Sequence, residues 1–127
     1  MWDEQEIRDL INKYLEAYNA QNATALTSLY TYDGTIYSSD APPARGREAI
    51  QVLHESWLEG PPPDKAMTLL DLHCGERLAV CVVEFREAGH HGGTEDRGEK
   101  GVGVNVFVKS DEGDWKLELT SLTELQV

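Results

Sequence analysis

Gly101-Val102-Gly103-Val104-Asn105-Val106-Phe107-Val108, followed by Lys109-Ser110-Asp111-Glu112-Gly113-Asp114 and Trp115-Lys116-Leu117-Glu118-Leu119-Thr120, decides the fold class. Valine recurs at every second position from Val102 to Val108, the period of a strand whose successive side chains point to opposite faces. Trp115, Leu117 and Leu119 alternate in the same way with Lys116, Glu118 and Thr120. Asp111-Glu112-Gly113-Asp114 is a polar, glycine-bearing turn, so the two strands are predicted to be antiparallel neighbours.

Toward the N-terminus the same period continues. Residues 66 to 74 place Thr68, Leu70, Leu72 and Cys74 on one side and Asp71 and His73 on the other. A tight turn at Gly75-Glu76 leads into a partner strand over residues 78 to 87, with Arg77 expected opposite Cys74. The glycine-rich, polar stretch from Ala88 to Glu99 reads as a long exposed loop.

The first half of the chain follows a different period. Ile7, Leu10, Ile11, Tyr14, Leu15 and Tyr18 recur at helical spacing over residues 3 to 20, with Asp3, Glu4 and Glu6 at the start, where the helix dipole favours negative charge. Asn22 can cap a second, shorter helix carrying Leu26, Leu29 and Tyr30 on one side, and Asp33-Gly34 is expected to break the pattern before a short strand, Thr35-Ile36-Tyr37. After a loop at Pro42-Pro43, Gly46 opens a third helix with Ile50, Leu53, His54, Trp57 and Leu58 on one face, and Gly60-Pro61-Pro62-Pro63 ends it. Helices first and long strands afterwards predict one α+β domain over residues 1–127, with three N-terminal helices packed on a curved antiparallel sheet around an apolar pocket. The other sheet face is partly apolar, so a back-to-back homodimer is expected through it.

Acidic residues outnumber basic ones by 23 to 11, a formal net charge of -12. That balance repels phosphate backbones and anionic lipid, so no nucleic-acid or membrane partner is expected. The acidic start lacks the pattern of a secretion signal, and the longest apolar run, Leu78 to Val83, is too short to span a bilayer. Cys74 and Cys81 have no metal or paired-thiol spacing and read as reduced thiols, consistent with a cytoplasmic location.

Four segments in order, Asn12 to Asn22, Leu29 to Ile36, Gly46 to Ile50 and Gly101 to Leu117, resemble the SnoaL-like and ketosteroid isomerase-like branch of the nuclear transport factor 2-like superfamily. The resemblance spans nearly the whole chain. It implies a cystatin-like cone with a pocket between helices and sheet, commonly in a homodimer, and it does not imply one chemistry.

In the isomerases of that branch, the resemblance implies, a carboxylate base works with hydrogen-bond donors at the developing oxyanion. Tyr14 matches the tyrosine's place there. The carboxylate is not matched, since Ser38-Ser39 stand at its place and Asp40 follows only afterwards. Asn105, near the place of the neutral acid, offers only an amide hydrogen bond. His54, on the buried face of the third helix, is a candidate general acid or base beside Tyr14. The candidate catalytic residues are therefore Tyr14, His54 and Asp40, with Tyr18, Trp57, Asn105 and Tyr37 as candidate ligand-binding residues. Glu84 and Arg86 share a strand face and read either as a surface pair or as pocket lining. His73, His90 and His91 lack the spacing of a metal site, and neither metal nor cofactor is expected.

Three functions fit this pattern: binding of a small, largely apolar molecule, cofactor-independent isomerisation, dehydration or cyclisation through Tyr14 and His54, and assembly through the sheet face. An open pocket of several hundred cubic ångströms lined by Tyr14, Tyr18, His54 and Trp57 is expected for the first two.

Overall fold

The computed structural model describes residues 2–87 and 99–124. Most of the glycine-rich stretch, with His90 and His91, lies outside the described residues. Two helices, α1 (Trp2–Asn19) and α2 (Ala23–Ser28), precede the first strand, and α3 (Arg47–Trp57) follows the second. Asn22 Oδ1 accepts the Ala25 N–H at 3.0 Å, satisfying a donor at the open end of α2. The strands β1 (Tyr30–Tyr37), β2 (Ala44–Arg45), β3 (Lys65–Cys74), β4 (Leu78–Glu87), β5 (Glu99–Lys109) and β6 (Trp115–Glu124) form one sheet in the order β2-β1-β6-β5-β4-β3. Its core face packs against α1 and α3 through Ile7, Tyr30, Ile36, Ile50, Val83, Phe107 and Leu117, all buried. Each large apolar side chain so buried contributes about 1.5–3 kcal/mol relative to exposure.

The α+β class and the three helices agree with the sequence reading, while several details differ. The sheet is antiparallel except at one place, where β1 runs parallel to β6. The second helix ends before Tyr30, which begins β1, and Asp33-Gly34 lies inside that strand rather than ending a helix. The β1–β6 register absorbs the extra residues as an irregularity between Tyr30 and Thr35. β2, two residues long, has too little sequence to show a period.

Two β-bulges overturn the predicted facing of side chains, because one extra residue inverts the alternation beyond it. In β3, Leu69 pairs with Val83 and Asp71 with Val82, leaving Leu70 as the extra residue. Met67 and Leu69 before the bulge, and Leu72 and Cys74 after it, therefore pack on the core. Thr68 and Leu70 do not share their side, and Leu70 is exposed. In β6, Phe107 pairs with Leu117 and Val106 with Leu119, so Glu118 is the extra residue. Thr120 consequently turns inward and is buried.

The β3–β4 turn is longer than predicted: Cys74 lies opposite Ala79, and Gly75 N donates to Leu78 O at 2.8 Å. Cys74 and Cys81 are both free thiols. The sheet face away from the helices carries Val80, Val82, Val104, Val106 and Leu119 across neighbouring strands, and Val104 is exposed. Among the described residues no helix is long and apolar enough to cross a membrane.

Candidate functional site

Among the described residues, an inner cavity and an outer cleft lie between helices and sheet. The inner cavity of about 40 Å³ is lined by Leu10, Ile11 and Tyr14 of α1 and by β-strand residues that include Met67, Val83, Phe107 and Leu117. Its polar groups come from Tyr14, Tyr30, Lys65, Asn105 and Thr120. The outer cleft of about 380 Å³ is lined by Tyr18, Ser38, Asp40, Trp57, Glu59 and Glu87, among others. Lys65, Phe85 and Leu122 border both and form the neck between them. The wide single pocket expected from the sequence is thus a narrow apolar end behind a broader polar mouth, because large core side chains fill most of the cone.

His54 lines neither chamber. It is fully buried behind Tyr14, where the helical spacing from Ile50 turns its ring inward. Its Nδ1 lies 3.0 Å from Ile50 O, a carbonyl that can only accept, so Nδ1 carries the ring proton. Nε2 is then an acceptor, and Tyr14 donates its hydroxyl proton to it across 3.0 Å. Trp57 meets the His54 ring edge-on at 5.2 Å between centroids.

Burial lowers the His54 pKa to about 4, opposed by the hydrogen bond to Ile50 O and assisted by the positive charge of Lys65. Burial raises Tyr14 well above the ordinary phenol value, with the charges of Tyr30, Tyr18 and Glu87 acting in the same direction. Both shifts favour the neutral forms, and proton transfer from Tyr14 to His54 runs uphill.

A second network crosses the sheet. Thr120 Oγ1 donates to Asn105 Oδ1 at 2.9 Å, which leaves Thr120 to accept from the Tyr30 hydroxyl at 2.9 Å. Asn105 Nδ2 donates weakly to Cys81 Sγ at 3.7 Å, and burial pushes the Cys81 thiol up to about 11. The chain Tyr30, Thr120, Asn105 fixes the amide's orientation at the cavity wall.

The remaining predicted residues are spread out. Asp40 is exposed in the outer cleft and accepts the Trp57 indole N–H at 3.2 Å. Tyr18 donates to the Glu87 carboxylate at 3.3 Å. Tyr37 borders neither chamber; at the sheet edge its hydroxyl accepts from Arg45 Nη2 at 3.2 Å. Ser38 Oγ, in the outer cleft, is buried with no hydrogen-bond partner among the described residues. Glu84 and Arg86 pair with each other at 3.4 Å and border neither chamber. Among the described residues, no group of three or more His, Cys, Asp or Glu side chains could hold a metal ion.

Tyr30, Thr120 and Lys65 line the inner cavity but were not singled out from the sequence. Tyr30 read as helical and Thr120 fell on the wrong side of the β6 bulge. Lys65 could have been found: it stands in phase with Met67 and Leu69, on the side that faces the helices.

A model of the SnoaL-like domain family matches residues 7–122. Among solved structures, a ketosteroid isomerase-like protein from Erwinia carotovora atroseptica is 19% identical, with 95% of each chain covered and a TM-score of 0.82. A domain of unknown function with a cystatin-like fold from Nostoc punctiforme is 20% identical, covering 100% of this chain and 80% of that one, with a TM-score of 0.84. A provisionally assigned scytalone dehydratase from Novosphingobium aromaticivorans is 18% identical over 98% of this chain and 85% of that one, with a TM-score of 0.83. At these identities the likeness establishes a shared fold. No curated protein matches the sequence at a significant level.

Proposed function

The chain belongs to the SnoaL-like domain family, and from that premise we propose that its cone binds a small, largely apolar molecule, entering through the outer cleft and resting its apolar end in the inner cavity. The observation that carries this reading is the neck itself. An apolar cavity, into which Tyr14, Asn105 and Thr120 bring a few oriented polar groups, adjoins an open cleft through Lys65, Phe85 and Leu122. The ligand is compact at its inner end, since about 40 Å³ admits a short aliphatic chain end and not a ring system.

A titration with short aliphatic probes, followed through the backbone amides of Gly103 and Phe107, tests the reading. Saturable shifts at those residues support it. Shifts confined to Trp57 and Asp40 would place binding in the cleft alone and sink it.

A second reading, a cofactor-independent lyase or isomerase, is favoured by one observation: the Tyr14 phenol lines the cavity and is backed by a buried histidine. In that reading the Tyr14 oxygen accepts a hydrogen bond from a ligand hydroxyl while its own proton stays committed to His54 Nε2, which holds the phenol in place, since the neutral pair is poorly suited to acting as a base. Turnover retained in His54→Gln but lost in Tyr14→Phe would support it.

A further inference from the structure

We infer that Lys65 receives an anionic oxygen, such as a carboxylate, carried by a compact apolar ligand at the neck between the two chambers. This rests on the reading of the cone as a ligand pocket and names the ligand class.

Lys65 borders both chambers, and among the described residues it is the one cation that lines either of them. Its placement is built rather than incidental. The Asn19 side chain, at the end of α1, holds the Lys65 backbone at both ends: Lys65 N donates to Asn19 Oδ1 at 2.8 Å and Asn19 Nδ2 donates to Lys65 O at 3.0 Å. The Lys65 ammonium then lies 4.0 Å from the centre of the Tyr18 ring and 4.8 Å from that of Phe85. Two ring faces attract the charge and limit where it can go. An ammonium has three N–H donors, so a group held this way can meet a carboxylate with a charge-assisted hydrogen bond.

The carboxylates of the outer cleft, Asp40, Glu59, Glu87 and Glu124, argue for the opposite charge, but none of them lines the inner cavity, which Lys65 does. Asp40 accepts from the Trp57 indole and Glu87 from the Tyr18 hydroxyl, so both help to hold the cleft wall. Rim charges in an open cleft are screened by solvent and salt, whereas Lys65 is half-buried between two ring faces. A ligand ammonium would find the aromatic seat at the neck already taken by a like charge.

Hexanoate, hexanamide and hexylammonium share one tail and differ only in the head, which makes them suitable probes. Each is titrated into the parent, Lys65→Met and Lys65→Arg at about 0.15 M salt. Amide chemical shifts at Gly103 and Phe107 give the affinity. The parent is expected to bind hexanoate roughly tenfold more tightly than hexanamide, with hexylammonium weakest. Lys65→Met loses that preference while still binding hexanamide, and Lys65→Arg retains it. Circular dichroism checks folding, and Lys65→Gln carries the comparison if the methionine variant unfolds. A hexanoate preference that survives loss of the lysine, equal binding of all three heads by the parent, or hexylammonium binding best overturns the inference and leaves the pocket standing. Absence of binding by any of the three overturns the pocket reading, and this inference with it.

Discussion

Tyr14 Oη lies 3.0 Å from His54 Nε2, and because His54 Nδ1 is committed to Ile50 O, the proton between the two rings belongs to Tyr14. Stability should therefore depend on pH through His54. Its pKa falls from 6.5 to about 4 on folding. Between those values the unfolded ring takes a proton that the native ring refuses, so the unfolded state binds more protons and stability drops as pH falls. The contribution is fully present above pH 6.5 and is lost on descending to about 4, amounting to roughly 3 kcal/mol. Urea unfolding at pH 7 and near pH 4.5 measures it. The parent is expected to lose roughly 2 to 3 kcal/mol more than His54→Gln over that interval; equal losses would show that another group controls the acid limb.

Tyr14→Phe leaves His54 Nε2 buried with its donor removed. An unpaired buried acceptor costs about 1–3 kcal/mol, so the urea midpoint at pH 7 should fall with an unchanged slope. A variant as stable as the parent would mean that water enters behind the ring and replaces the phenol.

Gly101 and Gly103 lie two apart in β5, facing the helices, and they should respond oppositely to alanine. A Cβ on Gly101 would run into the Phe85 ring and lie 2.6 Å from Thr123 O, and backbone cannot move aside cheaply. Gly101→Ala is expected to destabilise by about 1–3 kcal/mol through overpacking. A Cβ on Gly103 meets only the end of Leu122 at 3.1 Å and Asn105 Nδ2 at 3.8 Å, and Gly103 borders the inner cavity. Gly103→Ala should stay folded and fill much of the roughly 40 Å³ void, so that hexanamide binding weakens several-fold. Undiminished binding would place the ligand's tail elsewhere.

These details explain what could and could not be read from the sequence. His54 was legible, because Ile50, Leu53, His54 and Trp57 keep one helical period from end to end. The α+β class was legible for the same reason, helical spacing marking α1 and α3 and alternation marking the strands from β3 onward. The wall of the cavity was not. One extra residue at Leu70 and another at Glu118 invert the facing of everything after them, and a bulge leaves no mark in a pattern that alternates on either side of it. The narrowness of the cavity was not legible either, since it depends on how side chains from six elements fill a common volume. Lys65 is held by Asn19, 46 positions earlier, and no local spacing encodes such a contact.

The sheet face opposite the helices should mediate pairing of two copies. Val80, Val82, Val104, Val106 and Leu119 form a contiguous apolar surface there, and exposed apolar patches on a twisted sheet are commonly covered in an oligomer. Val104 lies opposite Val82 on that face and is 37% exposed. Val104→Glu would set like charges against each other across a two-fold axis. Sedimentation of the parent is expected to give a dimer and that of the variant a monomer. A monomeric parent at concentrations where the variant behaves identically would remove the face from consideration.

Asn19 is expected to act on ligand choice through Lys65. Asn19→Ala removes both hydrogen bonds to the Lys65 backbone and frees the start of β3 to shift. The lysine and its charge remain, but the aim of its side chain between Tyr18 and Phe85 does not. Loss of the pair should cost about 1–3 kcal/mol of stability, which a purely structural role would also predict. The informative quantity is the ratio of hexanoate to hexanamide affinity, because it reads the position of the head group and not the stability of the fold. Gln21→Ala provides the control, since Gln21 Nε2 donates to Leu58 O and Gly60 O at 2.9 Å near the same helix end without touching Lys65. The ratio should fall several-fold in Asn19→Ala and stay at the parental value in Gln21→Ala, with hexanamide affinity similar in both. If the two variants change the ratio equally, Asn19 supports the fold alone and Lys65 finds its place without it.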